Sequence, residues 1–248
     1  MLTIIHGADF HLDSPFACLT PQRAAQRRGE QRELLSALAE LSRQRRADLV
    51  LLSGDLLDSH QTYRETAQAL SQALGQIPCP VFLAPGNHDH LCPGSPYLEM
   101  AWPGNVHIFT RQTLESVSLP ELDCRVWGAG FQSMDCPGLL EGFRAAGDEA
   151  VQLMVLHGDP TNPSAPCCPV TRAQVAASGL QYLALGHIHT RGQLEAGGAL
   201  CAWPGCPMGR GFDETGSKGV YICQVSPQGA QATFLPLGAG GYEDRTIP

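Results

Sequence analysis

Long apolar runs are missing from this sequence of 248 residues. A membrane-spanning helix needs about 20 consecutive apolar residues, and no stretch approaches that length. The N-terminal segment also lacks the basic region and the long apolar region of a secretory signal peptide. These absences predict a cytoplasmic protein with no membrane association.

Cysteine motifs and excess positive charge are also missing. The ten cysteines contain no Cys-x-x-Cys pair, so neither a zinc ribbon nor a disulfide framework is indicated, and we interpret most of them as reduced core residues. The 16 Lys and Arg residues stand against 24 Asp and Glu, for a formal net charge of −8. A protein that binds nucleic acid by broad electrostatics needs clustered basic residues. Any affinity for DNA must therefore come from a local patch, from bound metals or from another subunit.

Short apolar blocks alternate with helical patterns along the chain. Leu34, Leu38 and Leu41 recur at helical spacing within residues 22–46, which predicts a helix there. A second helix is predicted over residues 63–74, and a short third one between an N-cap at Thr171 and a stop at Gly179. Strand–helix alternation predicts an α/β layered fold. The strand-like blocks are residues 2–5, 49–52, 81–84, 151–156 and 182–185.

The last quarter of the sequence has a different pattern. VYICQV (220–225) and AQATFLPL (230–237) flank the turn from Ser226 to Gly229, which predicts an antiparallel hairpin. Together with the alternating blocks, the hairpin predicts two mixed sheets with helices outside them, an α-β-β-α sandwich of four layers. No linker or repeat is visible, so we expect a single domain over residues 1–248.

Five polar motifs follow the strand-like blocks. In layered α/β folds, the loops beyond the carboxyl ends of the strands meet in one crevice, so loops that are distant in sequence can converge there. The motifs are Asp9-Phe-His11, Gly54-Asp55-Leu-Leu-Asp58, Gly86-Asn87-His88-Asp89, His157-Gly158 and Gly186-His187-Ile-His189.

The donor atoms in these motifs are carboxylate, amide and imidazole groups without thiolates, a set suited to Mn, Fe or Zn. Seven candidate ligands exceed what one ion takes from protein while leaving room for water, so a metal pair bridged by Asp55 fits better. Two ions roughly 3.5–4 Å apart can clamp both oxygens of a phosphoryl displacement and acidify a bridging water. The pattern therefore predicts phosphoester hydrolysis. The candidate ligands are Asp9, His11, Asp55, Asn87, His157, His187 and His189.

Each motif alone is weak evidence, because a single Asp or His in a loop is more often a solvated residue or an N-cap. The interpretation depends on GDxxD, GNHD and GHxH occurring in that order after predicted strands. His6, His60, His90 and His107 lack comparable spacing and are left outside the site, with His60 and His90 as candidates for its rim. The cysteines are also left out, since a thiolate ligand would change the metal preference.

The ordered motifs resemble those of the calcineurin-like metallophosphoesterases, from residue 1 to about residue 225. Within that superfamily, the segments ADFHLDSPF (8–16) and PGCPMGRGFDETGSKGV (204–220) look like the SbcD and YhaO type of DNA repair exonuclease. The resemblance implies the metallo-dependent phosphatase fold and two divalent ions, with manganese expected. It also implies DNA ends as substrate and an SbcC-like ATPase as partner.

The resemblance further implies roles for single residues. His88 would stand beside the leaving group as an acid or transition-state stabiliser, and Asp58 would orient it, which agrees with the need for an imidazole held in one tautomer. The ligands would divide into two sets that share Asp55, with Asp9, His11 and His189 on one ion and Asn87, His157 and His187 on the other.

Two departures from the nuclease group affect the substrate. Its members usually continue into a capping domain and ATPase-binding segments, whereas this sequence ends at Pro248, so we expect those segments to be absent. The acidity leaves DNA contacts to a cluster of Arg210, Lys218 and Arg191, which is equally compatible with a solvated loop. A nuclease is the leading hypothesis. A small-molecule phosphodiesterase or phosphatase is the alternative, and a non-catalytic scaffold is disfavoured by the complete ligand set.

Overall fold

The computed structural model of the protein describes residues 1–238, so the last ten residues of the predicted domain lie outside the described part. Four α-helices occur in it: α1 (Pro21–Arg45), α2 (Arg64–Gly75), α3 (Pro96–Glu99) and α4 (Arg172–Ala177), with a 3₁₀ turn at Pro120–Leu122. Within residues 1–238, no helix is long and apolar enough to cross a membrane. The strands are β1 (Leu2–Gly7), β2 (Leu49–Leu52), β3 (Val81–Leu83), β4 (Val106–Ile108), β5 (Glu115–Leu119), β6 (Cys124–Gly128), β7 (Val151–His157), β8 (Tyr182–Gly186), β9 (Gly192–Ala196), β10 (Ala199–Trp203), β11 (Gly219–Ser226) and β12 (Gly229–Pro236).

The strands form two mixed six-stranded sheets. The first has the order β12-β11-β1-β2-β3-β4, in which β1 to β4 run parallel and β11 and β12 form an antiparallel hairpin beside β1. The second has the order β5-β6-β7-β8-β10-β9, in which β6, β7, β8 and β10 run parallel and the outer strands β5 and β9 run antiparallel to their neighbours. The predicted mixed sheets and C-terminal hairpin are confirmed.

Three clusters of buried side chains separate four layers. One packs α1 and α2 against the first sheet, with Leu38 of α1 meeting residues such as Val50. The second cluster lies between the two sheets. Leu51, which follows Val50 in β2, belongs to it, because successive side chains of a strand point to opposite faces of the sheet. The third packs α4 against the second sheet, with Val175 among its members. The predicted α-β-β-α sandwich is therefore confirmed.

The helix signals in the sequence are also confirmed. Thr171 caps α4 through a capping box, in which its side chain accepts from the backbone N–H of Gln174. Gly179 follows this helix with φ 72°, a left-handed conformation that suits glycine. The strands β4, β5, β6, β9 and β10 were not predicted, because most of them are short and half-exposed and so lack a continuous apolar run.

The parallel strands end level with one another, which places the polar motifs at one edge. Gly7 pairs with Leu52 and Leu52 with Leu83 in the first sheet, while His157 pairs with Gly186 in the second. His6 joins the two sheets, since its ring lies 2.7 Å from Tyr182 Oη and 2.9 Å from Ser53 Oγ. Burial lowers the pKa of His6 to about 3, so this imidazole is a neutral structural residue, as its lack of motif spacing indicated.

Candidate metal centre

The loops that follow β1 and β8 bring three donors together. Asp9, His11 and His189 each offer one ligand atom within 4.8 Å of the others. Asp9 also accepts a hydrogen bond of 3.0 Å from the backbone N–H of His187. These three side chains are those that the family resemblance assigns to one ion, together with Asp55.

The end of β7 and the loops after β3 and β8 contribute a second group. Asn87 Oδ1 lies 2.9 Å from His157 Nε2 and 3.3 Å from His187 Nδ1. His157 is fully buried, and its context was the weakest of the sequence motifs. The structure nevertheless places all three residues side by side.

Asp55 lies between the two groups. Its Oδ2 is 3.7 Å from His11 Nε2 in the first group and 3.4 Å from His157 Nε2 in the second. Its Oδ1 accepts the backbone N–H of His88 at 2.9 Å. One carboxylate thus faces both sets of donors, as the proposed bridge requires.

The imidazole nitrogens of the first group converge. His189 Nδ1 lies 2.6 Å from a Glu214 carboxylate oxygen, so its proton belongs on Nδ1 and its Nε2 carries a lone pair. His11 Nδ1 lies 3.1 Å from Asp58 Oδ1 without the geometry of a hydrogen bond. The two Nε2 atoms are 3.2 Å apart. Two imidazoles that share a cation with bonds of about 2.0–2.1 Å are spaced in this way.

The second group shows the same arrangement. His157 Nδ1 lies 2.9 Å from the Ser53 carbonyl oxygen and donates to it, which leaves the Nε2 lone pair facing the oxygens of Asn87 and Asp55. In the first group, Asp9 Oδ2 is buried and has no hydrogen-bond partner among the described residues. A buried carboxylate oxygen without a partner is costly unless a cation binds it. The donors present therefore fit divalent ions at both groups.

The backbone is strained where it presents these ligands. Asp9, His11, Asp55 and His187 have positive φ values of 55°, 45°, 50° and 92°, although none of them is glycine. Such conformations cost on the order of 1–3 kcal/mol each and persist where the surrounding structure over-determines them. Among residues 1–238, four of the nine non-glycine residues with positive φ are candidate ligands.

Glycines make room for His157. A Cβ atom on Gly54 would lie 2.6 Å from His157 Nδ1, and one on Gly86 would lie 2.8 Å from the same atom. A Cβ on Gly86 would also collide with the Asp55 carboxylate. The glycines of the GD and GN motifs are thus required because two ligand side chains pack directly against their backbone.

Burial sets the protonation states at the centre. It raises the pKa of Asp9 to about 7 and that of Asp55 to about 8, with the neighbouring Asp89 charge adding to the shift of Asp55. Burial also lowers the pKa of His11 to about 3 and those of His157 and His187 to about 4. At pH 7 the three imidazoles are therefore neutral, the Asp55 carboxyl group is mostly protonated and the Asp9 carboxyl group is about half protonated.

Metal binding should release protons. Because a coordinating carboxylate must be deprotonated, binding near pH 7 should displace protons from Asp9 and Asp55, and affinity should rise as pH increases from 6 to above 8. Calorimetric titrations with Mn²⁺ in buffers of different ionisation enthalpy measure this release directly. Binding heats that do not depend on the buffer between pH 6 and 7 would contradict the shifted carboxylates.

Asp58 contacts His88 through its backbone carbonyl oxygen, whereas its side chain was expected to orient this ring. His88 Nδ1 contacts the backbone carbonyl oxygen of Asp58 at 3.0 Å, while the Asp58 carboxylate lies 3.1 Å from His11 Nδ1 and accepts from Ser14 Oγ at 3.0 Å. Asp58 thus orients His88 through its main chain and His11 through its side chain.

Glu214 is a residue of the centre that the sequence patterns did not reveal. Its buried carboxylate contacts His189 at 2.6 Å and accepts from the backbone N–H of Arg210 at 2.7 Å and from the Arg210 guanidinium at 3.1 Å. Burial opposes the charged form, but these donors hold the pKa of Glu214 below its usual range. The only available signal was its place in the segment 204–220, which carried the family resemblance.

The change Glu214→Gln should weaken metal binding at the His189 side. A carboxylate behind a ligating imidazole fixes the tautomer and raises the basicity of the ring, and its loss typically costs about 10- to 100-fold in metal affinity. Competition with a fluorescent chelator would measure the affinity. Glu195→Gln, in the edge strand β9, is the matched control. Equal affinities in the two variants would contradict this role for Glu214.

Asp89 organises the loops that carry the ligands. Its buried carboxylate accepts backbone N–H groups from Asp55, Leu56, Leu57 and Gly86 at distances of 2.7–3.3 Å. It also accepts from Tyr97 Oη at 2.7 Å. The GNHD motif contains Asp89, but the sequence pattern indicated no role for it. The structure shows that it joins the Asp55 loop to the Asn87 loop.

The predicted basic cluster is not an open patch. Arg210 lies at the centre, but its guanidinium is paired with Asp58 and Glu214 at 3.1 Å each. Lys218 Nζ approaches the His189 carbonyl oxygen at 3.4 Å, and the Arg191 guanidinium lies 4.2 Å from the centroid of the Phe234 ring. The Arg210 charge is thus largely compensated, because two acidic side chains lie beside it.

The sequence model of the calcineurin-like phosphoesterases matches residues 2–191, which include all seven candidate ligands. The chain belongs to this family. Family membership indicates a hydrolase of phosphoesters and confirms the resemblance drawn from the motifs. That the seven residues bind metal stays a prediction supported by their geometry.

Two curated relatives of this phosphoesterase come from Bacillus subtilis. The uncharacterized metallophosphoesterase YhaO is 32% identical over 91% of the chain and 58% of its own length. The SbcD subunit of the nuclease SbcCD is 24% identical over 94% of the chain and 68% of its own length. The chain thus spans a little over half of the length of YhaO.

A solved structure supports the fold of this phosphoesterase. A dimetal phosphatase from Danio rerio superposes with a TM-score of 0.54, covering 94% of this chain and 98% of its own. The identity is 14%, so the similarity concerns the fold alone.

Proposed function

We propose that the protein is a phosphodiesterase with two divalent metal ions, and that it acts as a nuclease on DNA ends. The observation that carries the proposal is Asp55 Oδ2, which lies 3.7 Å from His11 Nε2 and 3.4 Å from His157 Nε2. A carboxylate between two sets of lone pairs fits a shared ligand of a metal pair. Such a pair supplies Lewis-acid polarisation of the phosphate and a nucleophile generated from water at neutral pH.

The surrounding residues position the substrate and move a proton. His88 lies at the edge of the centre, with its ring centroid 4.7 Å from that of His11 and its Nδ1 held by the Asp58 carbonyl. Because Nδ1 donates to the Asp58 carbonyl, Nε2 is the ring nitrogen available to the leaving oxygen. In the imidazolium form of His88, Nε2 also carries a proton and can donate it to that oxygen. His88 is partly exposed, as are His187 and His189, so a substrate can reach it.

DNA is supported as substrate by the relatives rather than by the surface. The similarity to the SbcD subunit of the nuclease SbcCD extends over 94% of this chain, and on that basis we propose DNA ends as substrate and an SbcC-like ATPase as partner. Manganese is the ion we propose, since oxygen and imidazole donors without thiolates suit it.

A small-molecule phosphodiesterase or phosphatase is the second candidate. The formal charge of −8 and the pairing of Arg210 with Asp58 and Glu214 both weaken attraction to a polyanion. A non-catalytic scaffold is disfavoured. Asp9 Oδ2 is buried and has no hydrogen-bond partner among residues 1–238, and a scaffold has no need for such an oxygen.

The test compares four substrates under one Mn²⁺ condition: linear duplex DNA, single-stranded DNA, a chromogenic diester and a chromogenic monoester. We expect cleavage of the DNA and the diester, with DNA binding that is weak and falls with added salt. Asp55→Asn, purified in parallel, serves to exclude a contaminating nuclease. Activity on the monoester alone would overturn the nuclease proposal in favour of a phosphatase.

A further inference from the structure

Outside the two groups of the centre lies a further cluster of side chains of the types that bind metals. It takes no part in the chemistry described above. His60, His90 and Cys92 each offer one donor atom within 4.8 Å of the others. His60 comes from the loop after β2, and His90 and Cys92 come from the loop after β3. All three side chains are partly exposed, so a cation can reach them from solvent.

The orientation of His90 is that of a metal ligand. Its Nδ1 lies 2.9 Å from the Asn87 carbonyl oxygen and donates to it, which leaves a lone pair on Nε2. Metal-binding imidazoles usually donate their other N–H to a carbonyl or carboxylate in this way. The rings of His60 and His90 stand with centroids 4.8 Å apart and planes at 46°, so they do not stack face to face.

Cys92 differs from most other cysteines of the chain. Eight of the ten are buried, Cys18 is exposed, and Cys92 is partly exposed. Accessibility lets a thiol lose its proton to a metal, whereas a buried thiol in apolar surroundings stays inert. The sequence offered no signal for this grouping, because thirty residues separate His60 from His90.

We propose that His60, His90 and Cys92 form a separate mononuclear site that prefers Zn²⁺ to Mn²⁺. Three atoms no more than 4.8 Å apart lie within about 2.8 Å of a common centre, so small side-chain movements reach Zn–N and Zn–S bonds of about 2.0–2.3 Å. The thiolate makes this donor set softer than the oxygen and imidazole set around Asp55, which favours zinc.

The site links two loops of the phosphoesterase centre. The His60 loop also carries Asp58, and the His90 loop also carries Asn87 and His88. An ion bound to both loops holds the carbonyl of Asp58 and the ring of His88 at a constant separation. The zinc therefore acts as a clamp on the edge of the centre.

Cobalt tests the proposal, because a thiolate bound to Co²⁺ gives a near-ultraviolet charge-transfer band that a centre without cysteine cannot give. The metal-free protein, as the whole chain, is titrated with Co²⁺ and then with Zn²⁺ or Mn²⁺. We expect a band whose final intensity corresponds to one equivalent of thiolate-bound Co²⁺ per chain, whatever amount the centre around Asp55 also takes up. The band should disappear on addition of Zn²⁺ and survive addition of Mn²⁺. Because the band reports only the thiolate, it is independent of whether the centre around Asp55 acts on DNA.

Two variants and a control make the result specific. Cys92→Ser and His60→Ala should each abolish the one-equivalent band while the far-ultraviolet circular dichroism stays that of the wild type. Cys18→Ser, which removes the fully exposed cysteine, should leave the band unchanged. A wild-type protein without the band, or a band that persists in Cys92→Ser, would overturn the proposal.

Discussion

Replacing His88 by alanine should reduce kcat for a phosphodiester by about 10²- to 10⁴-fold, the usual worth of a positioned general acid. Metal content should stay near that of the wild type, because the backbone N–H of residue 88 still donates to Asp55 Oδ1. Turnover of a chromogenic diester and elemental analysis of the same samples measure the two quantities.

The control for His88→Ala is His107→Ala, which removes an imidazole from β4, away from the centre. This variant should retain wild-type turnover. Full activity in His88→Ala would remove His88 from the proposed role, and loss of both metals in that variant would reassign it as a ligand.

Replacing Asp55 by asparagine should abolish binding of both ions and turnover, yet stabilise the metal-free protein. Asparagine keeps the size of the side chain and an acceptor for the His88 N–H, but it cannot bridge two cations as an anion. Burial raises the pKa of Asp55 from 3.8 to about 8. Since each pKa unit corresponds to about 1.4 kcal/mol, ionising this buried group costs the metal-free fold several kcal/mol.

The sign of the pH dependence follows from that shift. The folded pKa of Asp55 lies above the unfolded value, so the contribution of Asp55 to stability is present below pH 4 and is lost as pH rises through about 8. The Asp55→Asn variant has no ionisable group at this position, so it does not lose this stability as pH rises. The difference in Tm between Asp55→Asn and the wild type, both in chelator, should therefore widen from pH 4 to pH 8 and then level off.

A Tm difference that does not change with pH would contradict the raised pKa of Asp55. Added Mn²⁺ should raise the Tm of the wild type and leave that of Asp55→Asn unchanged, because a ligand that binds only the folded state stabilises it by mass action. The same variant thus separates the stability cost of the site from its metal-binding function.

The pairing of Asp58 and Glu214 with histidine rings shows how the centre differs from a set of separate motifs. Asp58 lies beside His11, and Glu214 lies beside His189. Glu214 sets the tautomer of His189, and Arg210 joins the two carboxylates. Arg210 is accordingly a residue that positions the ligands, and its charge is already used within the protein.

Local sequence patterns were sufficient to predict the layered architecture and to identify the seven candidate ligands. Buried parallel strands require continuous apolar runs, and polar residues directly after such runs must lie at the same sheet edge, so both features can be read locally. The order of the motifs then indicated the family, which the match over residues 2–191 shows.

The side chains that support those ligands could be identified only from the folded chain. Glu214 reaches His189 across 25 residues, and Cys92 reaches His60 across 32, through loops whose paths follow no periodic pattern. The same applies to Asp58, whose carboxylate lies 3.1 Å from His11 Nδ1 while its carbonyl oxygen contacts His88 Nδ1. Strands and helices follow from repeating local preferences, whereas contacts between loops depend on where the whole fold carries their ends.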